Sequence, residues 1–465
     1  MLENLKNKKI VLVPTTPLTI SFAKKLDQQD IKVVGFIDKN KEGKNIYKYE
    51  DIPNIEFDVI LIYNDLFFEP IYKSVLEKAD KNLIYRVVQD KNYKLLNYKQ
   101  IKYQLRKQKI FNFKQTVYNN LQKSLTIFVD SLRLKRKYIV ILTKNHIGAN
   151  TKYIYLYLKR RNYNVVLISA NKDAKELDGN YLNFYSLKSY YIMALAHTII
   201  VDEVIYEYFN NLSSKQITIQ LWHGVGIKKL NPIKNISYDY FISTSNWTNT
   251  TNFQNVFNAR EFLNYGYPRN DIFFRDIVDE DLNLCDKKIF ELSKDNKIIL
   301  YMPTYRDLLE DNIPPLDFDI FNKFLKENNI YFIVKLHPFV EDILSKKYSN
   351  VIFYPSKKDI YPILKNTDIL ITDYSSILYD FLLLDKPIIS FVYDIEKYFD
   401  TRNGFLFDYD EYTPAKQVKT QKELIEEIIN LFNGDDKYKT QRIEVRDKFF
   451  DYIDGKSCER IENIV

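Results

Sequence analysis

The feature that most constrains this chain is a short apolar run that keeps returning, each time followed by a longer stretch compatible with a helix. The second half shows it most clearly, at Ile298–Tyr301, Tyr331–Leu336, Val351–Tyr354, Ile369–Thr372 and Ile388–Phe391. Continuous apolar runs of this length suit strands covered on both faces, and strands alternating with helices build parallel sheets. An earlier set carries the same pattern: Tyr138–Leu142, Val165–Ile168, Thr198–Val201, Ile217–Leu221 and Tyr238–Ile242, with Thr151–Leu158 reading as a helix. Two such arrays of about 150 residues each predict two doubly wound α/β domains facing a cleft. A polar joint at Ile277–Asn296 separates them.

A smaller α/β unit is expected at the start, with strands Lys9–Val13, Ile31–Ile37 and Phe57–Ile62 and a helix over Leu18–Leu26. The turn after its first strand reads "VPTTP". A dinucleotide site needs a Gly-rich turn there so that backbone can approach a pyrophosphate, so docking or regulation is the better reading. Between this unit and the arrays, Lys91–Lys137 holds thirteen Lys or Arg and one acidic residue, Asp130. Apolar residues such as Ile101, Leu105, Ile110 and Phe113 are interleaved at roughly helical spacing. Such a basic amphipathic connector suits either an anionic membrane surface or a solvated helix packed on the next domain. The expected division is therefore 1–90, 91–137, 138–276 and 277–465.

Composition excludes several classes. Hydrophobic content of 46% and charged content of 28% describe a globular chain, and a net charge of +7 is modest for 465 residues. No nucleic-acid-binding module is visible, so no nucleic-acid partner is expected. Cys285 and Cys458 form no C-x-x-C pair, which argues against a disulfide scaffold or structural zinc and fits a reducing cytoplasm. The N-terminus lacks the apolar core of a signal peptide, and no apolar run approaches the ~20 residues that span a bilayer. The nearest, Tyr190–Val201, stops at Asp202. A cytoplasmic protein is expected, at most peripheral on the inner face of the membrane.

In doubly wound sheets ligands bind beyond the carboxyl ends of the strands. Five motifs fall there: "WHGVGIKKL" (Trp222–Leu230), "GYPRND" (Gly266–Asp271), "YMPTYRD" (Tyr301–Asp307), "KLHP" (Lys335–Pro338) and "ITDYSS" (Ile371–Ser376). His223 and His337 end strands in different arrays, which aims both imidazoles at one cleft, and either could act as a general base. Ser375 and Ser376 stand where a helix begins, with hydroxyls and free N–H groups suited to phosphate; an ordinary N-cap is the alternative. Arg269 and Arg306 could each grip a phosphate through the guanidinium fork, or form a surface ion pair such as Arg306 with Asp307. Gly224 and Gly226 allow a substrate close to His223. His146 and His197 read as structural. The D-x-D strings Asp317–Asp319 and Asp408–Asp410 hint at a metal, but no metal ligand and no cofactor are expected.

The ordered set, together with "YDF", "KPIISFVYDIEKY", "GFLFDY" and the closing "YIDGKSCERI", resembles the CDP-glycerol glycerophosphotransferases, the teichoic-acid and capsule polymer transferases and primases. The resemblance covers about Ile141–Val465. It implies a GT-B-type fold, with a CDP-activated polyol phosphate such as CDP-glycerol held mostly by the second array. On that resemblance His223 deprotonates the hydroxyl of a glycan or polyprenyl-linked acceptor, and His337 stabilises the diphosphate as CMP leaves. Ser375 and Ser376 hold phosphate, Thr304 and Arg306 lie near the donor, and Asp373 shapes that loop. Lys228 and Lys229, with Gly224 and Gly226, fall to the acceptor side. Val225-Gly226-Ile227, Tyr305, Lys335 and Asn403 depart from the family's pattern and leave the polyol and acceptor open. Fold alone does not choose chemistry. A nucleotide-sugar glycosyltransferase on the same frame is one alternative, and a non-catalytic membrane-surface assembly protein the other.

Overall fold

The computed structural model describes residues 2–65, 67–89, 93–144, 149–304, 306, 314–336, 348–396, 398 and 404–465. They divide into two compact units, one ending at Thr116 and the other beginning at Val117.

The first unit is built on β1 (Ile10–Val13), β2 (Val33–Ile37), β3 (Ile46–Tyr47), β4 (Val59–Ile62), β5 (Ile84–Gln89) and β6 (Tyr93–Leu96). Their order is β3-β2-β1-β4-β5-β6, parallel except for the β5–β6 hairpin. Every residue of β1 and β4 is buried, as a sheet covered on both faces demands. Asp38, just after β2, stands where a dinucleotide fold places its ribose-binding acid. Here its carboxylate accepts the amides of Thr15, Asn40 and Lys41 and so ties the two strand-end turns together. Burial pushes its pKa up, but those amides and Lys41 pull it below the ordinary value.

A single helix, Tyr98–Ser131, then runs for 34 residues. Ile101 and Leu105 near its start join the first unit's core. Further along, Tyr118 packs on Tyr190 at 5.4 Å and Gln122 donates to the Tyr208 carbonyl, both within the second unit. Strand β6 and this helix occupy the span expected to be a connector.

The second unit holds two parallel sheets. One contains β7 (Tyr138–Thr143), β8 (Val165–Ser169), β9 (Leu182–Asn183), β10 (Ala196–Val201), β11 (Ile217–Gln220), β12 (Ile233–Ile242) and β13 (Phe257–Leu263), ordered β13-β12-β11-β10-β7-β8-β9. The other contains β14 (Lys297–Tyr301), β15 (Ile330–Val334), β16 (Val351–Phe353), β17 (Ile369–Thr372), β18 (Ile388–Phe391) and β19 (Lys416–Val418), ordered β16-β15-β14-β17-β18-β19. This is the expected α/β pair of doubly wound, GT-B-type domains after a small α/β domain. The last helix, Ser457–Glu462, returns to the earlier sheet, where Cys458 and Ile461 pack with Ile141 and Leu167. One apolar core runs through both halves, joining Trp222 and Phe241 to Leu300 and Leu370. A fully buried ion pair between Lys152 and Asp359, at 2.6 Å, crosses between them as well.

Among the described residues the sequence pattern missed six strands. Strands β3 and β9 are two residues long, too short for any periodicity. The others lie towards sheet edges, where polar residues such as Arg260 and Glu261 in β13 or Lys416 and Gln417 in β19 interrupt the apolar signal. The polar joint before β14 is also more ordered than expected. It contains the helix Lys287–Asp295, whose first amides are capped by Asp286.

Candidate functional site

In the β14–β19 sheet the strand order reverses between β14 and β17, so the loops leaving those strands part and open a crevice. The loop after β11 meets that crevice. The result is a cavity of about 720 Å³ lined by Trp222, His223, Gly224, Gly226, Lys228 and Lys229 from one half. The other half contributes Thr304, Tyr374, Ser375, Ser376 and Tyr398.

His223 is presented by a strained turn. Trp222 is buried at 6% exposure with φ +54°, a left-handed value that costs a non-glycine residue about 1–3 kcal/mol. The indole lies tilted against the His223 ring, centroids 3.8 Å apart, and packs edge-on against Phe257, while His223 itself is exposed to the cavity. The Nδ1 atom of His223 lies 3.1 Å from the Asp202 carbonyl oxygen. A carbonyl only accepts, so this contact makes Nδ1 the N–H and Nε2 the basic nitrogen of the ring. Gly224 follows at φ +155°, and a Cβ there would lie 2.9 Å from the Ser376 hydroxyl. The glycine is required by the close approach of the two halves.

Ser376 precedes the helix Ile377–Leu382 and makes no side-chain cap, so the N-cap alternative does not consume its hydroxyl. Asp373 accepts from the amides of Thr304 and Tyr374 and from Arg306 Nη1. Arg306 is 5% exposed and so not at the surface, while Asp307, the neighbour the sequence offered as its partner, lies outside the described residues. Its Nε and Nη2 donate to Asp394 at 2.9 and 2.8 Å. Arg269 is likewise buried: Nη2 donates to Asp380 at 2.7 Å and Nη1 to the His223 carbonyl at 2.9 Å. Burial pulls both guanidinium pKa values down, but the facing carboxylates more than reverse this. Both arginines are thus committed to carboxylates and hold the loops. Lys228 and Lys229 are the cationic side chains lining the cavity among the described residues. Lys228, expected on the acceptor side, reaches Thr304 Oγ1 across the cleft at 3.3 Å and lies over Tyr398. The main chain beside it pairs with the other half through a Lys228–Phe405 bridge and the Leu406 amide to the Ile227 carbonyl.

His337, Tyr305, Asn403 and His146 lie outside the described residues. Strand β15 ends at Val334, and Lys335 Nζ donates to the carbonyls of Pro355, Ser356 and Lys358. His197 bonds Thr198 on β10 and takes no part in the cavity. The D-x-D strings cap helices: Asp317 accepts from Asp319 and Ile320, and Asp408 from Glu411. Among the described residues no cluster of His, Cys, Asp or Glu is placed to hold a metal ion.

Sequence reasoning gave no role to Asn150, Asn252, Phe253, Asp380 or Asp394. Asn252 and Phe253 line the cavity from a π-helical turn, Asn249–Phe253, a distortion frequent at functional sites. Nothing in "NTTNF" signals it. Asp380 and Asp394 lie within "YDF" and "FVYDIEKY", but their partners are distant in sequence.

Asp202 sits directly behind His223. Its Oδ2 accepts from the Thr151 amide and hydroxyl, and Oδ1 is buried without a partner among the described residues. Burial, then the charge of Glu203, pushes its pKa up to about 7. A carboxyl with a raised folded pKa contributes stability that is complete below the unfolded value and lost as pH rises through the folded one. This group is expected to cost about 2–4 kcal/mol of stability between pH 4 and pH 8. Asp202→Asn keeps an acceptor for Thr151 and should flatten that slope, raising Tm over the parent chain at pH 8. Equal pH slopes in calorimetry for both proteins would contradict the assignment.

The family model for CDP-glycerol:poly(glycerophosphate) glycerophosphotransferase matches residues 124–465. The chain belongs to this family. A second model, described as C2185-like, N-terminal, matches residues 6–85. The teichoic acid poly(glycerol phosphate) polymerase of Bacillus subtilis (strain 168) is 29% identical over 394 residues, covering 77% of this chain and 52% of that protein. The corresponding polymerase of Bacillus spizizenii (strain ATCC 23059 / NRRL B-14472 / W23) is 32% identical over 318 residues, 60% of this chain and 79% of the relative. The teichoic acid glycerol-phosphate transferase of Staphylococcus aureus (strain NCTC 8325 / PS 47) is 25% identical over 384 residues, 75% of this chain and 98% of the relative. The chain thus spans about half the length of the B. subtilis relative. Among solved structures, the wall teichoic acid polymerase TagF superposes with a TM-score of 0.63 at 24% identity, covering 79% of this chain and 97% of that one. That likeness establishes the shared fold.

Proposed function

We propose that this family member transfers glycerol phosphate, or a similar polyol phosphate, from a CDP-activated donor to a hydroxyl of a glycan or lipid-linked polymer. The product extends a teichoic-acid-like or capsule polymer of the cell envelope. The observation that carries the reading is a cavity with an oriented, exposed His223 on one wall and Ser375, Ser376 and Lys228 on and beside the other. In this reaction the acceptor oxygen attacks the phosphorus that bears the polyol. His223 Nε2 takes the hydroxyl proton, the bond to CMP breaks, and CMP leaves with the bridging oxygen. Such phosphoryl chemistry needs positioning and charge neutralisation more than covalent help. Lys228 offsets charge on the diphosphate, and the two serine hydroxyls hold its oxygens. Thr304 positions Lys228, and Arg306 and Asp373 brace the loop that carries them. Lys229, Gly224 and Gly226 leave room for the acceptor, and His337 keeps the role the resemblance gives it, stabilising the leaving diphosphate. The names of the relatives, two poly(glycerol phosphate) polymerases and a glycerol-phosphate transferase, support the donor class. Acceptor-dependent release of CMP tests the reading.

The acceptor end of the reading is a membrane surface. No described helix is long and apolar enough to cross a membrane. On the helix Tyr98–Ser131, however, Ile110, Phe113, Val117, Leu121 and Phe128 are exposed, and their spacing puts them on one stripe. Lys102, Lys107 and Lys114 flank that stripe. Gln122, Thr126 and Val129 face the other way and are buried, so the helix packs through one face and leaves its apolar stripe uncovered. This combination supports docking on an anionic bilayer from the cytoplasmic side. The protein should co-sediment with phosphatidylglycerol vesicles and not with phosphatidylcholine vesicles, and Phe113→Glu should weaken this ~10-fold or more. Unchanged binding by the variant would remove the helix from the membrane site.

A further inference from the structure

We propose that Arg269 and Asp380, assisted by Asn150, form a positioning device that fixes the His223 main chain relative to the Ser375–Ser376 loop. The proposal rests on the reading of His223 as the base and adds to it the residues that hold that base in register with the donor.

The geometry forms a closed circuit. Asp380 lies on the helix Ile377–Leu382, which starts directly after Ser375 and Ser376, so its carboxylate moves with the donor-side loop. Both of its oxygens are occupied. Oδ2 accepts from Arg269 Nη2 at 2.7 Å and from the Tyr361 hydroxyl at 2.7 Å, and Oδ1 accepts from Asn270 Nδ2 at 3.1 Å. Arg269 spans the gap to the other half. Its Nη1 donates to the His223 carbonyl at 2.9 Å, and its guanidinium lies 5.0 and 5.3 Å from the rings of Tyr267 and Tyr361. Asn150 closes the circuit: its Nδ2 donates to the Trp222 carbonyl at 2.8 Å and its Oδ1 accepts the Arg269 amide at 3.3 Å.

The carbonyls of Trp222 and His223, on either side of the His223 Cα, are therefore both anchored. With Nδ1 on the Asp202 carbonyl, the imidazole has little freedom left. The side chains of the Arg269–Asp380 pair are only 4% and 1% exposed, so neither touches a substrate and neither is a catalytic residue. A displacement of about 1 Å at a reacting group can cost about 100-fold in rate, which sets the scale of what such a circuit protects. A lysine at 269 retains the charge but, as a point donor, cannot span Asp380 and the His223 carbonyl as the planar fork does. An asparagine at 380 keeps the shape and loses the charge.

Arg269→Lys and Asp380→Asn, made singly in the full chain and again in a His223→Ala background, test the proposal. Acceptor-dependent CMP release, the dissociation constant for CDP and Tm are measured for each. Turnover in the single variants is expected to fall about 10- to 100-fold, with CDP affinity changed less than 3-fold. In the His223→Ala background the same substitutions should change the residual turnover less than 2-fold, because they act through the base that is gone. An active parent chain with undiminished turnover in a folded single variant overturns the proposal. So does a full additional loss in the His223→Ala background, which would mark the pair as general scaffolding. Should one substitution prevent folding, the other carries the test. A parent chain with no acceptor-dependent CMP release overturns the underlying reading of the site, and the proposal with it.

Discussion

His223→Ala is expected to lower acceptor-dependent CMP release by about 10³-fold while leaving CDP binding and thermal stability within error of the parent chain. The size follows from the role. A positioned general base contributes about 10²–10⁴ in rate, and no other described histidine lines the cavity to replace it. The selectivity follows from the geometry. The imidazole is exposed, its Nδ1 meets a backbone carbonyl, and the loop it sits on is held by other side chains. Removing the ring therefore leaves Asn150, Arg269 and Ser376 in place. His223→Asn is the companion: its amide nitrogen takes the place of Nδ1 and can still donate to the Asp202 carbonyl, but it offers no basic nitrogen, so it should be as inactive as alanine. Turnover within 10-fold of the parent in either folded variant would remove the base assignment.

Lys228→Met should weaken binding of a CDP-polyol donor by about 30- to 100-fold, about 2–3 kcal/mol, with a small effect on Tm. Charge accounting in the cavity leads to this. Arg269 and Arg306 carry buried guanidinium groups, but Asp380 in one case and Asp373 with Asp394 in the other already neutralise them. A diphosphate entering the cavity meets Lys228 and Lys229, and Lys228 is the one that reaches across to Thr304. Arg306→Met provides the contrast, because it leaves two carboxylates buried without their cation and should destabilise the fold by about 3–5 kcal/mol. Titration calorimetry with CDP-glycerol, alongside thermal melts, separates the two behaviours. An unaltered donor affinity in Lys228→Met, or a purely stability-linked loss, would return the lysine to the acceptor side.

Much of this was visible in the residues themselves. Parallel strands buried on both faces announce themselves as unbroken apolar runs, so β17 and β18 lie at the residues where the pattern puts them. Strand ends in doubly wound sheets then locate the chemistry, which is why His223, Thr304, Ser375 and Ser376 line one cavity. What the pattern does not carry is pairing across distance. An arginine in a turn after "GYP" looks free to take phosphate. Only the fold shows that Asp380, 111 positions away, has claimed it. The same holds for Arg306, whose partners Asp373 and Asp394 lie 67 and 88 positions away. The reach of Lys228 to the opposite wall depends on the bridge to Phe405, which no local signal encodes. Edge strands escaped for the converse reason: with one side less covered they need no continuous apolar run.

The most direct measurement incubates the purified chain with CDP-glycerol, CDP-ribitol, UDP-glucose and GDP-mannose, each with and without a lipid-linked acceptor, and follows the released nucleotide. The account predicts CMP from at least one CDP-polyol, only when acceptor is present, with a matching gain of polyol phosphate on the acceptor and no UDP or GDP. Release of UDP or GDP with sugar transfer, or no acceptor-dependent CMP from any CDP-polyol, would contradict it.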